Sequence, residues 1–157
     1  MTIAQHRMLK HGLIILLMGL IGGVLMAVNM VGKIALEPLP VVIDYALPGE
    51  TSRWRAVHVG NLMNGLMAIG LALALPHVSL SGRTEAWVSW GIVGSVWANF
   101  VFYVFGVFAP NHGVSISANP LGEASWQGVV AYVPATIAAY VSIAVVILLL
   151  VRLKPAA

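Results

Sequence analysis

The chain has no cysteine, which removes disulfides, thiolate metal sites and cysteine nucleophiles from consideration. Charge is almost as scarce. Of 157 residues, 8% are Asp, Glu, Lys or Arg, against about 25% in an ordinary soluble domain. Hydrophobic residues make up 60%, more than a water-soluble fold of this length can hide. No P-loop, dinucleotide fingerprint or nucleophile elbow breaks the apolar runs, and no repeat or low-complexity tract is apparent.

The few charges divide the chain into four uncharged windows, residues 11–32, 56–82, 86–122 and 124–151. Each exceeds the roughly 20 residues a helix needs to cross the hydrocarbon core. The windows predict an all-α protein, a four-helix transmembrane bundle in one domain, with helices near 11–32, 53–76, 87–109 and 126–151. Arg7 and Lys10 ahead of an apolar run resemble a secretory signal, but the run is long, lacks an A-x-A site and precedes three more spans. It is read as the first helix.

With four spans both termini share a side. That side carries Arg7, Lys10, Arg83, Arg152 and Lys154 against Glu85, and the other carries Lys33, Arg53 and Arg55 against Glu37, Asp44, Glu50 and Glu123. The basic excess puts both termini in the cytoplasm. The net charge of +3 is spread over helix ends, which suits anchoring at a membrane surface rather than binding nucleic acid.

Gly19, Gly22, Gly23 and Ala27 form a small-residue stripe on the first helix, where another helix can approach closely. Asn29, near that helix's exit, is expected to satisfy a neighbouring backbone or side chain. The connection KIALEPLPVVIDYALPGETS, residues 33–52, is too long for a tight turn and too apolar for a free linker. It is expected to pack on the bundle or lie in the interface, with Thr51 or Ser52 capping a helix that starts at about Arg53. The last helix reads as a lipid-facing anchor.

Inside these spans a few polar side chains stand out. His58, Asn61 and Asn64 recur at i, i+3 and i+6, a slanting stripe with His58 and Asn64 about 120° apart at 100° per residue. Asn99 and Tyr103 are i and i+4 on the third helix, with Gly106 leaving space beyond them. Facing lipid would be costly, so all five should point into the bundle or a subunit interface. The spacing allows a polar pocket between helices two and three. Packing remains an open reading for each of them, and for His58 metal ligation and acid–base catalysis are open as well.

Several chemistries lack their residues. No Asp or Glu lies inside a span, which argues against a proton-coupled exporter of the small four-helix type. The other histidines, His6, His11, His77 and His112, lie at helix ends or in loops. A bis-histidine cytochrome would want a second deep histidine, and a zinc hydrolase three ligands close together.

PGETSRWRAVHVGNLMNGLM, residues 48–67, and WANFVFYVFGVFAPNHGVSISANPLG, residues 97–122, resemble the styrene oxide isomerases, small bacterial membrane enzymes. HGLIILLMGLIGGVLMAVNMVG, residues 11–32, is a weaker echo. The resemblance implies a four-helix membrane bundle, a homotrimer with haem b between subunits, in the bacterial inner membrane. It implies that His58, in R-A-x-H-x-G, is the axial ligand of a ferric haem. Asn64, in L/M-N-G, and Tyr103, in N-x-x-F-Y, would be active-site residues, with Asn99 of W-x-N-x-x-F-Y beside them.

The reaction so implied is isomerisation of aryl epoxides to aldehydes, styrene oxide to phenylacetaldehyde being the family reaction. The iron would act as a Lewis acid, and a 1,2-hydride shift would complete the rearrangement. The implied partners are a lipophilic aryl epoxide, membrane lipid, a styrene monooxygenase that makes the epoxide and an aldehyde dehydrogenase that consumes the product. Two other readings stay open: a non-catalytic membrane haem protein, and a haem-free transporter or assembly subunit.

Overall fold

The computed structural model describes residues 1–35 and 38–154; Glu37, counted above among the acids of one side, lies outside them. Four long helices make up most of the chain: α1 Ile3–Val31, α2 Thr51–Ala74, α3 Gly82–Phe108 and α4 Trp126–Val151. All four are long and apolar enough to cross a membrane. A single 3-10 turn, Leu75–His77, continues α2. The chain is not wholly helical, because β1 Lys33–Ala35 and β2 Val42–Asp44 pair antiparallel, Lys33 opposite Asp44.

The α4 span agrees with the helix expected at 126–151 to the residue. Ser125 caps its start by accepting from the Gly128 amide. The spans of α1 and α3 begin earlier than the windows, since a charged residue does not end a helix. At α1 a capping box sets the start: Thr2 accepts from the Gln5 amide, and the Gln5 side chain accepts from the Thr2 amide at 2.8 Å. Arg7, inside this extra length, lays its guanidinium over the Trp90 ring, 4.1 Å from its centroid, so its stem stays in apolar surroundings. At α3 Ser81 is the N-cap and accepts from the Thr84 amide.

The expected cap of α2 is corrected. The N-cap residue is Glu50, without a side-chain bond, and the helix starts at Thr51. The Thr51 hydroxyl is engaged elsewhere, donating to Asn29 Oδ1 at 2.7 Å, while Asn29 Nδ2 donates to the carbonyls of Leu47 and Gly49. Asn29 therefore meets its expectation, tying the connection back to α1. The connection itself packs less than anticipated: the side chains from Leu39 to Ala46 are exposed, and Leu47 is half-buried.

At one end of the bundle the two termini meet the α2–α3 turn. Gln5 Nε2 donates to the Ala72 carbonyl, Lys154 N to that of His77 and Ser79 N to that of Arg152. Both termini thus lie on one side of the four spans, as the helix count requires. At the other end Asn111, fully buried, organises the α3–α4 loop by donating to the carbonyls of Ser115 and Ser117 and accepting from the Gly113 amide.

The tightest helix pair is α1 on α2. A methyl at Gly12 would meet Gly65 O at 3.0 Å, one at Gly19 would meet Leu62 N at 2.8 Å, and one at Gly22 would meet Val57 Cγ1 at 2.9 Å. The glycine stripe therefore lets the two backbones touch, which drives association where lipid supplies no hydrophobic force. Ala27 is exposed and lies outside this seam. α4 packs chiefly on α3 through Ala131, Ala138, Val145 and Leu149, and exposes Ile137, Tyr140, Ile143, Ile147 and Leu150, in keeping with a lipid-facing anchor.

Candidate active site

The polar residues of the spans fall on two faces of α2. His58 turns toward α1. Its Nδ1 lies 2.8 Å from the Gly19 carbonyl oxygen, and because a carbonyl only accepts, Nδ1 carries the proton. The neutral ring then keeps its lone pair on Nε2. The imidazole fits because Gly23 has no side chain: a methyl there would stand 2.7 Å from Nδ1 and 2.8 Å from Cε1.

Asn64, Asn99 and Tyr103 gather on the opposite seam, between α2 and α3. These helices run antiparallel, so residues descending one meet residues ascending the other. Trp54 meets Phe108 edge to face, the Tyr103 ring covers Gly60, and Asn99 meets Asn64. Asn99 Nδ2 donates to Asn64 Oδ1 at 3.1 Å. The contact of Tyr103 with Gly60 is close enough that a methyl at Gly60 would overlap the ring, with Cε1 at 2.7 Å. Phe102 flanks Tyr103, ring centroids 5.3 Å apart. Gly60 and Asn64 are one helical turn apart, as are Tyr103 and Asn99, so the two contacts lie at levels about 6 Å apart along the helix axis.

Three of the five residues thus meet between helices two and three. His58 is not part of this group. At 100° per residue, position 60 lies about 160° around α2 from position 58, and the contacts agree: glycines of α1 on one side, Tyr103 on the other. Asn61 sits between the faces, wholly buried. Its Nδ2 donates to the Val57 carbonyl at 2.7 Å, and its Oδ1 has no partner among the described residues. Its bond stays within α2, and no bond to another helix forms among the described residues.

Two roles escaped sequence reasoning. Gly23 belonged to a stripe read as helix packing, and Gly60 was part of the R-A-x-H-x-G motif without a function of its own. Nothing in their spacing tells a glycine that admits a backbone from one that admits a ring. Two grooves lie elsewhere, between α3 and α4: one of about 400 Å³ beside Trp87, Trp90 and Leu148, and one of about 330 Å³ beside Gly94, Pro134 and Ile137. They are apolar and face lipid, whereas the chemistry-bearing groups are on α2 and its α3 seam.

What can His58 hold? Among the described residues no three His, Cys, Asp or Glu side chains come together around a metal. A lone imidazole keeps a metal only if a macrocycle supplies the other ligands. The orientation suits that arrangement, since a ligating histidine characteristically donates its second ring N–H to a carbonyl or carboxylate. His58, Asn99 and Tyr103 are half-buried in the chain, although each carries groups that lipid cannot satisfy.

Comparison with known proteins bears on the same residues. The family model described as "Styrene oxide isomerase" matches residues 4–154. A curated relative, the styrene-oxide isomerase of Pseudomonas fluorescens, is 28% identical over 131 residues, covering 83% of this chain and 77% of the relative.

Proposed function

The chain belongs to the styrene oxide isomerase family, and on that premise we propose that it converts aryl epoxides to aldehydes, styrene oxide to phenylacetaldehyde, with haem b held by His58. Family membership supports an epoxide-isomerising membrane enzyme. The haem assignment rests on one observation above all: the Gly19 carbonyl accepts a hydrogen bond from His58 Nδ1–H, which leaves the Nε2 lone pair free for iron.

When bound, a ferric haem held by His58 would supply a Lewis acid. The chain's own residues do the rest. Asn64 Nδ2 and the Tyr103 hydroxyl donate to the epoxide oxygen and hold the charge that grows on it as the benzylic C–O bond lengthens. The aryl ring spreads the positive charge left on the benzylic carbon. A hydride then moves to that carbon from the terminal carbon, which becomes the aldehyde carbon as the oxygen forms its carbonyl. No water is added and no electron leaves the substrate. The faces of Phe102 and Tyr103 exclude water that would otherwise trap the cation as a diol, and their π-clouds favour it.

In one protomer the His58 face and the Asn64–Tyr103 seam are on different sides of α2; Asn64 is buried, while His58, Asn99 and Tyr103 are partly exposed. A homotrimer with haem between subunits relieves both conditions, because a neighbouring copy covers the polar groups and brings a seam to face a ligand. Both termini would lie in the cytoplasm of the bacterial inner membrane. The lipophilic epoxide would arrive through the bilayer from a styrene monooxygenase, and the aldehyde would leave to an aldehyde dehydrogenase.

The separation of the two faces also favours a second reading, a membrane haem protein without catalysis. Absorption spectroscopy of the detergent-purified protein, followed by a styrene oxide assay with product identification, decides between them. A Soret band with phenylacetaldehyde formation supports the isomerase; a Soret band without turnover supports the second reading. A preparation that stays colourless on haem reconstitution overturns the ligand assignment.

A further inference from the structure

A carboxamide presents one acceptor and one donor group, and which of the two faces a substrate decides what it recognises. Asn64 is 8% exposed, so its amide has few partners to choose from. Asn99 reaches across from α3 and donates to Asn64 Oδ1 at 3.1 Å. That engagement leaves Asn64 Nδ2 as the group turned away from Asn99. Nδ2 takes no bond within the described residues, yet it is not sealed in: the one fully enclosed side-chain atom without a partner is Asn61 Oδ1. It is a donor held ready for an outside acceptor.

We propose that Asn99 is a positioning residue that locks the Asn64 amide with its N–H group toward the substrate oxygen. This rests on the isomerase reading for the identity of that oxygen, an epoxide oxygen gaining negative charge. A developing oxyanion needs a donor already aimed at it, because turning the amide during reaction would cost the advantage of preorganisation. Were Asn64 reversed, its carbonyl would face the same oxygen and repel it. Asn99 does not touch the substrate. It acts one turn along the seam from Tyr103, from the same face of α3, so one helix carries both the second donor and the lock on the first.

Asn99→Asp tests the lock through protonation. As a carboxylate the new side chain only accepts, so the Asn64 amide must turn to donate to it and shows its oxygen to the substrate. As a neutral acid the same side chain donates and restores the native orientation. The expected result is a turnover number about a hundredfold below wild type at high pH, recovering as pH falls, with an unchanged Soret band throughout. A second readout is the infrared carbonyl stretch of bound acetophenone, an unreactive aryl ketone. Hydrogen bonding from Asn64 lowers this frequency in wild type, and the lowering is lost in Asn99→Asp at high pH.

Should Asn99→Asp fail to assemble, Asn99→Ala answers the same question. Its freed amide gives two carbonyl bands where wild type gives one. Wild-type turnover in Asn99→Asp at high pH, or a single wild-type band in Asn99→Ala, overturns the proposal. Absence of epoxide turnover by the wild-type protein would overturn the isomerase reading instead, while the acetophenone band would still report the amide's orientation.

Discussion

Gly23 of α1 lies flat against the imidazole of His58 on α2, so close that a methyl group in its place would stand 2.7 Å from Nδ1. Gly23→Ala should therefore push the ring off the Gly19 carbonyl and spoil the aim of Nε2. Alanine is a better helix former than glycine by about 1 kcal/mol, so α1 itself does not suffer. The expected outcome is haem affinity lowered about 10- to 100-fold, as for other partners that orient a metal ligand, with helix content unchanged. Soret absorbance per protein during haem titration, alongside far-ultraviolet circular dichroism, checks it.

His58→Ala removes the imidazole proposed to hold iron. The purified variant should lose its Soret band or show greatly reduced occupancy, and its epoxide turnover should fall with it. Retention of haem together with full activity would sink the assignment. Because His58 is half-buried and its removal opens little space in the core, expression and assembly should survive, which keeps the comparison fair.

How much of this could be read from residues alone follows a physical line. Spans were legible because lipid forces each crossing segment to satisfy its own backbone and to exclude charge, which is why 126–151 agrees with α4 end to end. Their starts were less so, because Arg7 can lie within a helix once Trp90 receives its guanidinium. On the site, the i, i+4 spacing of Asn99 and Tyr103 correctly put them on one face. The angle between His58 and Asn64 was legible too, but not its consequence. Which helix each faces depends on where α1 docks, and α1 docks through glycines whose pattern looks the same whether they meet a backbone at Leu62 or a ring at His58.

Away from the site, Asn111 should matter for stability alone. It is fully buried and holds the α3–α4 loop through Ser115, Ser117 and Gly113, with Asn119 Nδ2 donating back to its carbonyl. Asn111→Ala leaves the carbonyls of Ser115 and Ser117 without that donor, at a cost of about 1–3 kcal/mol. The expected result is faster loss of the Soret band on heating in detergent, with the initial rate at 25 °C unchanged. An early loss of activity at 25 °C would tie the loop to the site after all.

Tyr103 offers two ways to separate a hydroxyl from a ring. Tyr103→Phe keeps the ring over Gly60 and removes one donor, so turnover should drop about 100-fold while haem stays bound. Gly60→Ala keeps the hydroxyl but displaces the ring, since the added methyl overlaps it. If the hydroxyl's position is what counts, the two variants should lose turnover to a similar degree, and the double variant should be little worse than either. If Tyr103 only packs, Tyr103→Phe should match wild type while Gly60→Ala destabilises the α2–α3 seam. Rates at saturating styrene oxide, measured with Soret absorbance for all three variants, distinguish the two outcomes. The choice of Gly60 matters because it lies on the far side of α2 from His58. A loss of turnover there without a loss of haem assigns the defect to the substrate seam and not to the ligand.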